Sequence, residues 1–413
     1  MHRTLRHFRW AGVLACGLLL AACGQGASTG TGSAITVGTL FPLTGGNSAV
    51  GSWLQHGTQV GVDTVNRGGG VMGRRLNIVW GDDVGDPADA VPAFRKVIAQ
   101  NPTFMVGPNS VTAPVVINQF DGLHLPDFII GGSTAFDNMN YPYVYRPTPS
   151  DSTQGAAMAY YAAKTKGLLR GALLFDNTSA AQTLVQPIIN AYKKLGGQIV
   201  ANIQFVPLAS SYQSEIAKLD AANPTVIFVQ TDPQSATTLF TQMEQLGGIK
   251  APIIGTDTAA AADFANAMGC TQARQYLTAM EAASPQGPAN TEFVKAYKLS
   301  YPGAQILPLS DDAYDSVVIS ALAMTAAKST DPRVWNKYVL KVANPPGVVV
   351  NTYKEGVAAL KAGKEINYQG AGGPQDFNAH HNTQGNWDAG AFQAGCQSVS
   401  VTGTVTAADI ANL

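Results

Sequence analysis

Short apolar runs alternate with longer amphipathic stretches through most of the chain. Runs over residues 35–41, 76–80, 104–107 and 128–131 are almost continuously apolar, as strands buried on both faces require. Between them apolar positions recur at helical spacing over about 50–66, 87–100 and 113–120. A second round predicts strands at 170–175, 197–206, 225–229 and 252–255, with helices near 153–166, 180–195, 212–221, 235–246 and 259–268. This alternation predicts two doubly wound α/β lobes in series, each built on a parallel sheet. The join falls at 143–150, where Pro142, Pro147 and Pro149 push the chain out of helical geometry.

Past Met280 the pattern changes. Helices are expected at about 290–299, 312–328 and 333–342, followed by a glycine-rich tail from Gly370. These segments cannot make a third α/β lobe, so they must add to the first two and leave both discontinuous. The expected boundaries are 35–149 with about 283–388 for the first lobe, and 150–282 with about 389–413 for the second.

Composition narrows the partners. Hydrophobic residues make up 46% of the 413 and charged residues only 13%, which excludes disorder or a coiled coil as the main organisation. Lys and Arg number 26 against 27 Asp and Glu, with no basic cluster in the body of the chain to neutralise a run of phosphates. Nucleic acid is not an expected partner.

The N-terminus reads as an address. Arg3, Arg6 and Arg9 precede an apolar run over 10–20 and then Leu20-Ala21-Ala22-Cys23, the form of a bacterial export signal ending in a lipobox. The apolar run would reach about 16 Å as a helix, too short for a hydrocarbon core of about 30 Å. Residues 1–22 are therefore expected to be cleaved, leaving Cys23 as a lipid-modified first residue and 23–34, rich in Gly, Ser and Thr, as a flexible tether. The mature chain then holds 23 basic and 27 acidic side chains, a net charge of −4. Its body lies outside the cytoplasmic membrane, anchored by lipid. Of the four cysteines, Cys16 leaves with the signal and Cys23 takes the lipid. Cys270 and Cys396 remain, and in an oxidising space a disulfide is the leading reading over two free thiols.

Catalytic and metal signatures are weak. Gly68-Gly69-Gly70-Val71-Met72-Gly73 has the letters of a dinucleotide fingerprint, but a helix precedes it and a strand follows, the reverse of what that motif needs. It reads as the turn that ends a helix. There is no Gly-x-Ser-x-Gly elbow, and His380-His381, set among Asn and Gln, reads as a solvated turn. Neither an enzyme, a cofactor nor a metal is expected.

The strand ends are more informative, because open parallel sheets bind ligands at their carboxyl edges. In the first lobe those ends carry Asn109, Ser110, Val111 and Thr112, then Gly132, Ser133 and Thr134. In the second they carry Asp176, Asn177 and Thr178, then Asp232, then Thr256, Asp257 and Thr258. Each is also a suitable helix cap. As a set, a hydroxyl-rich edge opposing an acid-bearing one suits a zwitterion.

At this point the chain resembles the branched-chain amino-acid-binding (Leu/Ile/Val-type) periplasmic binding proteins, the type I solute receptors of ABC importers. The resemblance is carried by Ile35-Thr36-Val37-Gly38-Thr39-Leu40-Phe41-Pro42-Leu43-Thr44-Gly45, by residues 69–76 and Asp82-Asp83, by Arg146-Pro147-Thr148-Pro149-Ser150-Asp151 and by Ala313-Tyr314-Asp315-Ser316. It runs from about 35 to 395 and implies two Rossmann-like lobes, joined by three crossover segments, that close on a small ligand. It further implies that a ligand carboxylate meets Ser110 or Val111 together with Gly132 and Thr134, and that an ammonium meets Asp257. Asp232 and Ala180 stand where the family commonly has Tyr, and Val50 replaces an aromatic. The site residues expected on these grounds are Asn109, Ser110, Gly132, Ser133, Thr134, Asn177, Thr178, Asp232, Asp257 and Tyr314. The implied function is capture of an amino acid or amide-like solute by a monomer for an ABC permease. The other readings are a ligand-sensing module for a receptor, or a lipoprotein hydrolase with a base beside Ser110, Ser133 or Thr134.

Overall fold

A computed structural model describes residues 33–283 and 287–413; the leader, Cys23 and the tether as far as residue 32 lie outside the described residues. The first set of apolar runs forms a five-stranded, all-parallel sheet in the order β2-β1-β3-β4-β5: β1 (Ile35–Thr39), β2 (Leu76–Val79), β3 (Phe104–Val106), β4 (Asp127–Phe128) and β5 (Val144–Tyr145). The second forms a seven-stranded sheet. Its parallel part holds β6 (Arg170–Asp176), β7 (Gln198–Phe205), β8 (Val226–Gln230), β9 (Ile253–Gly255) and β10 (Leu277–Ala282). A small third sheet combines β11 (Val348–Val350), β12 (Ile366–Gly370) and β13 (Gly373–Pro374). The glycine-rich tail then supplies β14 (Trp387–Phe392) and β15 (Val399–Val405), which extend the second sheet antiparallel beside β10.

Both sheets are therefore completed by late segments. The helix Ser310–Ala327 packs against the first sheet and is buried on every side from Asp312 to Met324, so it shows no amphipathic stripe. Its serines return their hydroxyls to the helix itself, Ser316 to the Asp312 carbonyl and Ser320 to the Ser316 carbonyl, both at 2.8 Å. The helix Ser48–Arg67 lies directly on it. At Gly57 a Cβ would sit 2.0 Å from the Ser310 carbonyl oxygen, and at Gly61 2.8 Å from Val317 Cβ, so glycine at both positions permits the approach.

The chain passes between the two large sheets at 146–150, after β10, and at 382–386. The first and third passages bond to one another: Arg146 N–H donates to the His381 carbonyl at 2.8 Å, and Thr383 N–H to the Arg146 carbonyl at 3.1 Å. Ala283 N–H reaches the Asn386 carbonyl at 2.9 Å and ties in the second. No helix among the described residues is long and apolar enough to cross a membrane.

Several elements differ from the expectation. The helix expected at 113–120 is a short turn Ala113–Val115 and a helix Gln119–Leu123, because Pro114 fits only a first turn and three β-branched residues follow it. The helix expected at 180–195 divides into Ser179–Gln182 and Val185–Lys194 where Pro187 lacks a donor for the preceding turn. Strand β10, with five helix formers in its sequence Leu-Thr-Ala-Met-Glu-Ala, is a strand because β9 and β14 flank it. The turn after Arg67 is as expected, with Gly69 and Gly70 at positive φ. His381 is not a solvated turn residue: its ring stacks on Tyr145 at 4.6 Å and its Nδ1 lies 3.0 Å from the Val144 carbonyl.

Cys270 and Cys396 are joined, with their Cα atoms 5.6 Å apart, and the bond ties the turn between β14 and β15 to the helix Cys270–Tyr276. A loop of 126 residues is closed. On the chain-entropy account that is worth about 4 to 5 kcal/mol, so Cys270→Ser with Cys396→Ser should lower the melting temperature by several degrees. Thermal unfolding of that double variant checks it, and an unchanged midpoint would show the bond contributes nothing.

Candidate functional site

A cavity of about 260 Å³ lies between the carboxyl ends of the two large sheets. From the first sheet it is lined by Asn109, Ser110 and Val111 after β3 and by Ile130, Gly131 and Gly132 after β4. Asp176 at the end of β6, Gln230 at the end of β8, and Asp257 and Thr258 after β9 face them. The helix Ser48–Arg67 adds Val50 and Trp53, one turn apart, at the rim.

The first edge is a donor surface. Ser110 Oγ accepts the Ser133 N–H at 3.1 Å, which leaves the Ser110 hydroxyl proton available. The N–H groups of Ser110 and Gly132 donate to no other group among the described residues. Glycine is required here by crowding: a Cβ on Gly131 would lie 2.3 Å from Ser110 Oγ, and one on Gly132 would lie 1.9 Å from Asp151 Oδ1. Asn109 Oδ1 accepts the Val111 N–H at 3.0 Å and holds the turn.

The loop is fixed from behind by Arg146, only 1% exposed. Its Nη1 donates to the carbonyls of Gly132 and Ser133 at 3.2 and 2.9 Å, and its Nη2 pairs with Asp137 at 2.7 Å. Asp137 in turn accepts the hydroxyls of Ser150 and Ser152, each at 2.6 Å.

The opposing edge is acidic. Asp151, Asp176, Asp232 and Asp257 all line the cavity, and among the described residues no Lys, Arg or His does. Asp257 Oδ1 accepts Gln154 Nε2 at 3.4 Å, and the same amide donates to the Met280 carbonyl at 2.8 Å. Asp257 does not cap the helix Ala262–Met268, whose N-cap is Ala261 without a side-chain bond. Asp232 does cap, accepting the Ser235 N–H at 2.9 Å and its hydroxyl at 2.5 Å. Asp176 accepts both the N–H and the hydroxyl of Thr178. Burial raises the carboxyls of Asp176 and Asp257, and pushes Asp151 up to about 7 despite the 2.5 Å bond from Thr183.

Six of the expected residues thus meet at one cavity: Asn109, Ser110, Gly132, Thr178, Asp232 and Asp257. Ser133 is 5% exposed and turns its Oγ back to the Ala135 N–H. Thr134 lines a different, outer cavity, and Asn177 is exposed, with its N–H bonded to the Phe205 carbonyl. Tyr314 is not brought to the cleft. It is 2% exposed in the first lobe's core, packed on Phe293, while its neighbour Asp315 binds the Tyr368 hydroxyl and the N–H groups of Ala371 and Gly372. Trp53, Asp151, Gln154 and Gln230 were not expected at the site. One signal for Gln154 is legible, a long polar side chain on the Gly/Ala-rich face of the helix Asp151–Tyr160, where it is 2% exposed.

Asp151 and Asp315, both pushed up to about 7 by burial, make stability depend on pH. Their folded values lie above the ordinary carboxylate value, so the stabilisation is complete below about pH 4 and is lost as pH rises through 7. The apo protein should lose on the order of 5 kcal/mol between pH 5 and pH 8, and Asp151→Asn should flatten the decline. Thermal unfolding across that range is the check, and a midpoint that climbs steadily from 5 to 8 contradicts it.

Residues 34–396 match the family described as periplasmic binding protein. A Leu/Ile/Val-binding protein homolog of Brucella melitensis is 25% identical over 321 residues, covering 76% of this chain and 86% of the relative. The substrate-binding protein BasB of a chemotactic signal transduction system in Halobacterium salinarum is 23% identical over 397 residues, covering 92% of each. Among solved structures, the leucine-binding protein LivK of Thermotoga maritima superposes with a TM-score of 0.77 at 20% identity, covering 91% of this chain and 99% of that one. A match over nearly the whole described body, on two α/β lobes that face each other across one cleft, means that the chain belongs to the periplasmic binding protein family, whose members bind solutes and are not enzymes.

Proposed function

We propose that this chain is an extracytoplasmic solute-binding lipoprotein that captures a small polar metabolite, an amino acid or amide-like compound, and delivers it to an ABC permease by closure of its cleft. The observation that carries this reading is the opposition of free donors at Ser110 and Gly132 to the carboxylate of Asp257 across one cavity. A carboxylate of the ligand would sit on the first and an ammonium on the second. Asn109, Thr178 and Asp232 would complete the polar wall, with Trp53 as the apolar lid. The two lobes, 35–149 with about 283–388 and 150–282 with about 389–413, would hinge about the three passages, and closure would be what the permease reads. The similarity to BasB across 92% of both chains supports sensing as a second reading, in which a signalling receptor reads the same closure. A membrane fraction in which a crosslinked permease co-purifies with this protein favours transport.

Native mass spectrometry of gently purified protein identifies the co-purifying solute, and calorimetry then tests the site. Asp257→Asn should weaken that solute by about 2 to 5 kcal/mol, roughly 30-fold to several thousand-fold, because a desolvated charge loses its partner. Its apo melting temperature should hardly change, since no α-helix is capped there. Asp232→Asn should cost less affinity and more stability. An unchanged dissociation constant for Asp257→Asn, or a natural solute without a basic nitrogen, removes the assignment.

The anchor rests on Cys23 and its small-residue approach. Cys23→Ala should abolish labelled palmitate incorporation and release the protein from the membrane fraction. Unchanged labelling would refute lipidation at that residue.

A further inference from the structure

Beside the cleft lies a second and larger cavity, of about 560 Å³, and the two share Trp53, Asp257 and Leu309 in their walls. Its lining brings together Asp263, Glu281, Asp311, Asp312 and Asp388, and again includes no Lys, Arg or His among the described residues. These acids come from four distant elements: the helix Ala262–Met268, β10, the start of the helix Ser310–Ala327, and β14. The fold, not a local run of charge, assembles them.

Two observations set this chamber apart from a solvated acidic face. The register of β10 and β14 places Glu281 directly opposite Asp388. Like charges in that position weaken an antiparallel pair, and neither strand supplies a compensating base. Asp388 takes the Thr404 hydroxyl at 2.5 Å, while no hydrogen bond from a described residue reaches the Glu281 carboxylate. The second observation is Asp312, 2% exposed. Its Oδ2 accepts the Thr148 hydroxyl at 2.9 Å, and its Oδ1 receives no bond from a described residue. That oxygen lies beside Gly372, another lining residue, where a Cβ would come within 2.6 Å of it. That oxygen is not among the buried side-chain oxygens cut off from any partner, so it is open to the chamber, from which its second partner would come.

Burial and the neighbouring acids push Glu281 up to about 8 and hold Asp312 well above the carboxylate range. A cation in the chamber would let both ionise. No group of three or more acidic, His or Cys side chains among the described residues is placed to hold a metal ion. The counter-charge that fits is organic and long enough to cross from the cleft.

Resting on the reading of the cleft as a solute site, we propose that this chamber receives a second cationic group of the same ligand. The solute is then an elongated basic metabolite, an amino acid with a basic side chain or the corresponding diamine. One ammonium would meet Asp257 at the boundary, and the ammonium or guanidinium at the end of the aliphatic stem would lie among Glu281, Asp312 and Asp388. A neutral amino acid would fill the cleft and bring no cation to Glu281, Asp312 and Asp388.

Titration calorimetry of the full-length protein with arginine, lysine, putrescine, leucine and glutamine tests this. At least one basic probe should bind tenfold or more tighter than leucine and glutamine, with an advantage that shrinks as salt is added. Glu281→Gln and Asp312→Asn should each lower the ratio of basic-probe to leucine affinity at least tenfold. The wild-type ranking stands even if a variant fails to fold. Leucine or glutamine binding as tightly as every basic probe overturns the inference and leaves the solute receptor intact. A ratio unchanged in both folded variants overturns the placement in this chamber. Silence from all five probes, with a native mass spectrum that carries no nitrogenous solute, removes the reading of the cleft itself.

Discussion

One buried guanidinium organises the cleft. Arg146 sits where the chain first leaves the five-stranded sheet, and removing its charge from water would be prohibitive without close partners. It finds them in Asp137 and in the carbonyls of Gly132 and Ser133. Holding those carbonyls fixes the peptide whose Ser133 N–H donates to Ser110 Oγ, and so steadies the loop that carries the Ser110 and Gly132 N–H groups. Asp137 spends its remaining capacity on Ser150 and Ser152, which start the helix that carries Asp151 and Gln154. The donor edge and part of the acidic edge are thus oriented by a single ion pair at the passage between lobes.

The electrostatic character of the cavity follows from what surrounds it. Carboxyls gathered on one edge of the cavity are buried, and burial is the first cause of the upward displacement at Asp151, Asp176 and Asp257 alike. A positive group that joins them favours their charged form. The hydrogen bonds to Thr183, Thr178 and Gln154 lower each value without cancelling that effect. Ligand capture and ionisation are therefore linked events in this geometry.

Much of the architecture was legible because buried parallel strands leave continuous apolar runs, and residues such as Leu173, Leu174 and Phe175 need no tertiary context to be recognised. The strands after residue 276 were not. Ala279 and Glu281 carry no β signal, and Gly390 and Gly403 occupy strands that read as loop. At the site, residues one or two positions past a strand end were found by rule. Thr134 and Asn177 sit at such ends yet fall outside the cavity, because a turn offers alternate positions to opposite sides and sequence does not say which. Tyr314 was placed by likeness alone, and the motif that contains it works through Asp315, which locks the Gly370–Gly372 turn onto the core. Asp151 looks in sequence like an ordinary acid in a first helical turn.

The terminal hairpin also bears on the order of assembly. Strand β10 gains its second neighbour only from β14, and that hairpin is fastened to the helix after β9 by the bond at Cys396. A chain that emerges N-terminus first keeps β10 as an open sheet edge until residues 387–405 have appeared. The second lobe therefore finishes at nearly the last moment of synthesis or threading. The first cannot run far ahead of it, because its central helix Ser310–Ala327 also comes late. For a chain made from its N-terminus, this delay keeps both lobes open until most of the polypeptide is available to close them.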